Sequence, residues 1–164
     1  MEEKTICRGF PPLCGDKARV LILGTFPSPL SRDKGEYYGN PRNQFWRIIY
    51  EVFNNSYIGQ DYEQRKSFLV VNGIAVWDVI AACEVEGALD SAIRNPVYNL
   101  LLPEFIREHA IRKVFFNGNN AYMFYKRGIA NIEKIVLPST SPAYATMSFD
   151  DKCRLWKDKL SISV

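Results

Sequence analysis

Four short segments of this chain place side chains able to do chemistry beside glycine or proline. Gly24-Thr25-Phe26-Pro27-Ser28 is a glycine-led turn running into a proline-fixed bend. Gly24 admits a ligand close to the backbone, and Phe26 offers a ring face on which a planar base can stack. No G-K-[ST] follows, so the segment is not a phosphate-gripping P-loop, and the dinucleotide fingerprint G-x-G-x-x-G is absent. Taken alone it reads as a tight turn. In Tyr37-Tyr38-Gly39-Asn40-Pro41-Arg42-Asn43-Gln44-Phe45-Trp46, Asn40 before Pro41 suits a helix start, with Asn43 in the first turn. Either Asn40 caps and Asn43 is merely polar, or Asn43 faces a cleft where its amide carbonyl orients a water. Leu137-Pro138-Ser139-Thr140-Ser141-Pro142-Ala143 sets short hydroxyls and backbone N–H groups between two prolines. Such a loop grips phosphates and wedges a duplex, or is a plain Ser/Thr turn. Asn117-Gly118-Asn119 reads as a turn followed by a helix cap.

Other chemistries are removed by counting. The one histidine, His109, lies in the polar helical stretch FIREHAIRK, which leaves no His-rich metal site and almost no room for a Ser-His-Asp triad. Cys7, Cys14, Cys83 and Cys153 stand far apart without a C-x-x-C, as expected of ordinary thiols in a reduced compartment. The first residues, MEEKTICRGF, carry acids where a secretory signal needs bases. No run approaches the ~20 apolar residues needed to span a bilayer. A length of 164 residues with 47% hydrophobic and 24% charged side chains fits one soluble domain, residues 1–164, in the cytoplasm.

The elements that must position these segments form an alternating series. Arg19–Gly24 (RVLILG) is nearly continuous in apolar residues, as a strand covered on both faces should be. Gly73–Val79, Lys113–Asn117 and Lys134–Leu137 make three more strands. Helices are expected over Asn43–Phe53, Asp61–Val71, Leu100–Glu108 and Asn120–Lys126, and over Ser148–Leu160 with Ser148 as N-cap. Four strands separated by helices predict an α/β fold with a parallel sheet and helices on both faces. Ligands of such sheets sit at the carboxyl ends of the strands, where all the segments above lie. The stretch between Gly24 and Asn43 reads as one long structureless loop, and IAACEVEGALDS as a second loop.

The net charge is only +3, but it is unevenly spread. Residues 8–50 hold seven bases (Arg8, Lys17, Arg19, Arg32, Lys34, Arg42, Arg47) against Asp16, Asp33 and Glu36. Residues 51–103 hold three bases and seven acids. A mixed solvated surface explains this as well as a nucleic-acid partner does.

VLILGTFPSPLSR, YYGNPRNQFW, GIAVWDVIAACEVEGALDSAI, VFFNG and LPSTSPAYA occur in the order and spacing of one family. They resemble the hypoxanthine-DNA glycosylase (DNA-deoxyinosine glycosylase) branch of the uracil-DNA glycosylase superfamily, from Gly9-Phe10-Pro11-Pro12 to the last helix. The resemblance implies a three-layer α/β/α sandwich around a four-stranded parallel sheet. It implies a monofunctional enzyme that flips a deaminated base, foremost hypoxanthine, out of DNA and hydrolyses its N-glycosidic bond. No metal, cofactor, membrane or lyase step belongs to that expectation, and the protein is expected to be a monomer that acts on DNA.

The resemblance also implies roles. GTFPS matches the superfamily's first motif, where Phe26 stands at a position elsewhere held by a water-placing Asp or Asn. LPSTSPA matches the second, where Leu137 stands in place of a histidine. The branch uses an asparagine of the YYGxPxN segment instead, which maps onto Asn43, with Asn40 as the fallback. Asp78 lies where relatives present a base-recognising side chain; capping a helix is its structural alternative. The base-binding set is then Gly24, Thr25, Phe26, Pro27, Ser28, Tyr38, Asp78 and Asn117. Ser139, Thr140, Ser141, Pro142 and Ala143 meet DNA. Competing expectations are a uracil-type or broad-specificity glycosylase and a non-catalytic nucleic-acid-binding relative.

Overall fold

The structure, a computed structural model, describes residues 4–86, 93–129 and 131–161. In chain order it runs β1 (Lys4–Arg8), β2 (Val20–Gly24), α1 (Pro29–Lys34), α2 (Phe45–Val52), α3 (Tyr62–Val71), β3 (Ile74–Asp78) and β4 (Ile80–Glu86). It continues with β5 (Arg94–Tyr98), α4 (Leu102–Glu108), β6 (Lys113–Asn117), α5 (Asn119–Tyr125), β7 (Glu133–Leu137) and α6 (Phe149–Leu160). The central sheet has the order β3-β2-β6-β7 and every pairing in it is parallel. All five residues of β2 are buried, as its apolar run requires of a strand with both faces covered.

The period of two along β2 sorts the core into two layers. Val20 and Ile22 join Phe45, Ile48 and Ile49 of α2, and Trp156 and Leu160 of α6. Leu21 and Leu23 join Leu102 and Phe105 of α4, and Ala121 and Tyr125 of α5, on the opposite face. The α/β/α sandwich is therefore present, with the four strands and five helices near their expected positions. Ser148 caps α6, its Oγ accepting from the Asp151 N–H at 3.1 Å. Asp61 and Gln64 close a capping box at the start of α3.

Three expectations need correction. The stretch after Gly24 is not structureless: Ser28 caps α1, Pro29 opens it, and Gly35 ends it in the left-handed region at φ 67°. Residues 80–86 are not a loop but β4, the centre of a second, antiparallel sheet of order β1-β4-β5. Cys83 and Val85 of β4 join the α4–α5 core layer. The rest of the second expected loop, residues 87–91, lies outside the described residues. Finally, α2 begins at Phe45 rather than Asn43, because the Asn43 side chain itself accepts the Phe45 N–H (2.9 Å) and holds the preceding turn out of the helix.

Candidate active site

Gly24, Asp78, Asn117 and Leu137 are the last residues of the four parallel strands, with Gly24 opposite Asp78 and Asn117 opposite Leu137. A cleft of about 820 Å³ opens over these ends. All fifteen residues singled out from the sequence, from Gly24 to Ala143, line it. They come from segments up to 119 positions apart (24 to 143), brought together by the strand order.

The floor is built around a missing side chain. A Cβ on Gly24 would lie 2.6 Å from Asp78 Oδ1 and 3.0 Å from the Tyr38 hydroxyl, so glycine is what lets both groups approach the strand end. Tyr38 has φ 52°, and its ring stacks on Phe45 at 3.9 Å between centroids. That turn and that stack aim the hydroxyl at the cleft. Asp78 Oδ2 is buried without a hydrogen-bond partner, and the buried Tyr38 hydroxyl beside it has only the Asn117 amide within reach. A buried polar atom without a partner is rare and costly, and one on the floor of a cleft suits a polar ligand. Burial pushes the Asp78 carboxyl up to about 7. Burial, and then the neighbouring Asp78, hold the Tyr38 phenol well above its ordinary value. Asp78 caps no helix, because β4 follows two residues later.

The turn and helix cap expected over Asn117-Gly118-Asn119 are present, with Gly118 at the N-cap of α5. The Asn117 amide pairs with Thr140, donating from Nδ2 to Oγ1 (2.9 Å) and accepting the Thr140 N–H at Oδ1 (3.0 Å). Thr140 is fully buried, and its carbonyl accepts the Gln44 N–H (3.0 Å). One threonine thus ties β6, the 138–144 loop and the start of α2 together.

The two asparagines differ in setting. Asn40 Oδ1 accepts the Arg42 N–H at the exposed surface, and Asn43 Oδ1 accepts the Phe45 N–H in a partly buried position. A carbonyl oxygen has two lone pairs, so each amide is oriented by one bond and keeps capacity for a water. Ser28 is committed to structure: its hydroxyl caps α1 and donates to Ser31 Oγ at 3.1 Å. Phe26 is half-buried, with the Arg32 guanidinium 5.7 Å from its ring centre. Arg32 also donates to the Pro27 carbonyl (2.8 Å), which steadies the bend.

In the last segment Ser139 Oγ accepts the Ser141 N–H, and Ser141 Oγ accepts the Ala143 N–H, both at 3.2 Å. Each hydroxyl hydrogen stays available to an acceptor such as a phosphate oxygen. Tyr144 and Leu155 also border the cleft and were not marked by the sequence. Lys152 went unmarked too, although its spacing from Trp156 and Leu160 places it on the buried stripe of α6. Among the described residues no cluster of three or more His, Cys, Asp or Glu could hold a metal, and no helix is long and apolar enough to cross a membrane.

A polar-floored cleft at the carboxyl edge of a parallel sheet, between two helical layers, is the place where folds of this kind bind ligands. The family model of the uracil DNA glycosylase superfamily matches residues 11–160. The chain belongs to that superfamily, whose enzymes hydrolyse N-glycosidic bonds in DNA. It is 38% identical over 142 residues to a hypoxanthine DNA glycosylase of Methanosarcina acetivorans, covering 84% of this chain and 88% of the relative. A hypoxanthine DNA glycosylase of Methanosarcina barkeri is 32% identical over 137 residues, covering 81% and 85%. The solution NMR structure of a candidate uracil DNA glycosylase from Methanosarcina acetivorans superimposes with a TM-score of 0.78 at 35% identity, covering 94% of this chain and 96% of that one.

Proposed function

We propose that this DNA glycosylase removes a deaminated base, foremost hypoxanthine, by flipping it into the cleft and hydrolysing its bond to the sugar. The observation that carries the reading is the buried, unpartnered Asp78 carboxyl oxygen on the cleft floor, with the buried Tyr38 hydroxyl beside it. Deamination turns a ring acceptor and an amino donor, as in adenine, into a ring N–H donor and a carbonyl acceptor. In its ionised form the Asp78 carboxylate only accepts, so it matches the ring N–H of the deaminated edge and faces the ring acceptor of the aminated edge without a bond, a mismatch that is costly in a buried site. The two Methanosarcina relatives named hypoxanthine DNA glycosylase favour the purine. Uracil presents the same pair of groups, so a uracil-type or broader activity is the second reading.

Breaking the N-glycosidic bond builds positive charge on the sugar and negative charge on the departing base. An ionised Asp78 would oppose that anion. With its carboxyl held near 7, a neutral fraction persists at working pH and can donate to the base as charge develops. Phe26 stacks on the flipped base, and the Asn43 amide holds the attacking water, with Asn40 as the alternative. Extrusion costs a few kcal/mol, and less for a poorly paired base such as hypoxanthine. Ser139 and Ser141 grip phosphates beside the gap, and the Pro142-Ala143 tip fills it. Residues 1–164 act as a single domain and a monomer in this reading.

A single-turnover assay on duplexes carrying one hypoxanthine, uracil, xanthine or undamaged base tests it, with EDTA present and abasic sites revealed by alkali. Release of hypoxanthine ahead of uracil is expected. Release of uracil alone would move the chain to the second reading, and no release from any duplex would overturn both.

A further inference from the structure

Lys152 is a charged side chain where α6 should present an apolar one. Its residue is 2% exposed, and it shares the buried stripe with Trp156 and Leu160. Its Nζ donates to Gln44 Oε1 (3.0 Å) and to the Tyr144 carbonyl (2.7 Å), and lies 5.0 Å from the centre of the Tyr144 ring. Among the described residues no carboxylate pairs with it. Burial pulls this lysine below its ordinary value, the mark of an ammonium held out of water. A methionine would fill the same space without that cost.

What the ammonium joins explains why a charge stands there. Gln44 ends the turn that carries Asn40 and Asn43, and Tyr144 ends the loop that carries Ser139 to Ala143. Thr140 also joins the two segments, through its carbonyl and the Gln44 N–H, but it lies near the loop's base. At the far end, beyond Pro142 and Ala143, Lys152 makes the connection.

We propose that Lys152 is a positioning residue of the glycosylase reaction, its ammonium fixing the tip of the 138–144 loop relative to the Asn40–Asn43 turn. The inference rests on the function proposed above. It follows that duplex distortion by the loop and water placement by the turn are set in one geometry. Loss of the ammonium then misaligns the chemistry by more than the loss of stability alone accounts for.

The test compares wild type with Lys152→Met and Lys152→Ala on a hypoxanthine duplex under single turnover, with melting temperature and duplex affinity measured alongside. Lys152→Met leaves Gln44 Oε1 and the Tyr144 carbonyl without their donor and should melt somewhat below wild type. It should still fold and bind duplex within about threefold, yet release base at least about tenfold more slowly. Lys152→Ala should regain rate on addition of propylamine, which supplies the deleted atoms. Lys152→Met releasing base at the wild-type rate would overturn the inference. So would rates that fall in step with melting temperature and ignore propylamine, the signature of a merely structural lysine. Wild type silent on every duplex would overturn the glycosylase reading and this inference together, whereas an active wild type matched by Lys152→Met overturns this inference alone.

Discussion

Gly24 and Asp78 sit opposite each other at the ends of adjacent parallel strands, so close that one added carbon on Gly24 would lie 2.6 Å from the Asp78 carboxyl. That gap is filled by no side chain and gives the carboxyl its buried place at the cleft floor. Gly24→Ala should therefore displace Asp78 and the Tyr38 hydroxyl together. The expected result is a single-turnover rate about 10²-fold lower with duplex affinity retained, since a shift near 1 Å costs that much in a positioned site. A rate near wild type in Gly24→Ala would show that the carboxyl's position does not matter.

The raised Asp78 carboxyl makes a signed statement about stability. Its folded value of about 7 exceeds the ordinary ~3.9 of an unfolded aspartate, so the native state binds more protons between those limits. Stability must then fall as pH rises from about 4 to about 7 and level off above, by an amount on the order of 4 kcal/mol. Asp78→Asn should erase that slope in chemical denaturation across this range. A wild-type curve as flat as that of the variant would place the carboxyl in contact with water.

The roles of Asn40 and Asn43 separate by substitution. Asn43→Ala should lower base release by about 10²–10³-fold, the usual cost of one positioned polar group. It also removes the bond to the Phe45 N–H, with a stability loss of about 1 kcal/mol. Asn40→Ala should change release little. The reverse pattern would move water placement three residues upstream.

Thr140 gives a structural prediction. Thr140→Val keeps the volume but strands the Asn117 Nδ2 donor in a buried site, at a cost of about 1–3 kcal/mol. A melting temperature unchanged from wild type would contradict the bracing described for it.

The central sheet was legible because burial on both faces forces continuous apolar runs, as in Val20–Gly24. The second sheet was not. β1 is mostly exposed, β5 is an exposed strand carrying Pro96, and β4 buries the neighbours Ala82 and Cys83 together while Ala81 is exposed, so none has a clean period of two. Helix α1 was hidden because Pro27-Ser28-Pro29 reads as a bend, although Ser28 and Pro29 are an N-cap and first-turn pair. The residues of the cleft could be named from short motifs together with the family resemblance, most of them local to one strand end. Their partnerships could not: Gly24 with Asp78, Asn117 with Thr140 and Lys152 with Gln44 are set by strand order and helix packing, which no local spacing encodes.

The most direct measurement is single-turnover base release from one hypoxanthine duplex by wild type and Asp78→Asn, side by side with the matched adenine and uracil duplexes. Wild type should release hypoxanthine and no adenine, and the substitution should cost about 10²-fold or more. Release of hypoxanthine at equal rates by both proteins, or by neither, would contradict the role given to Asp78.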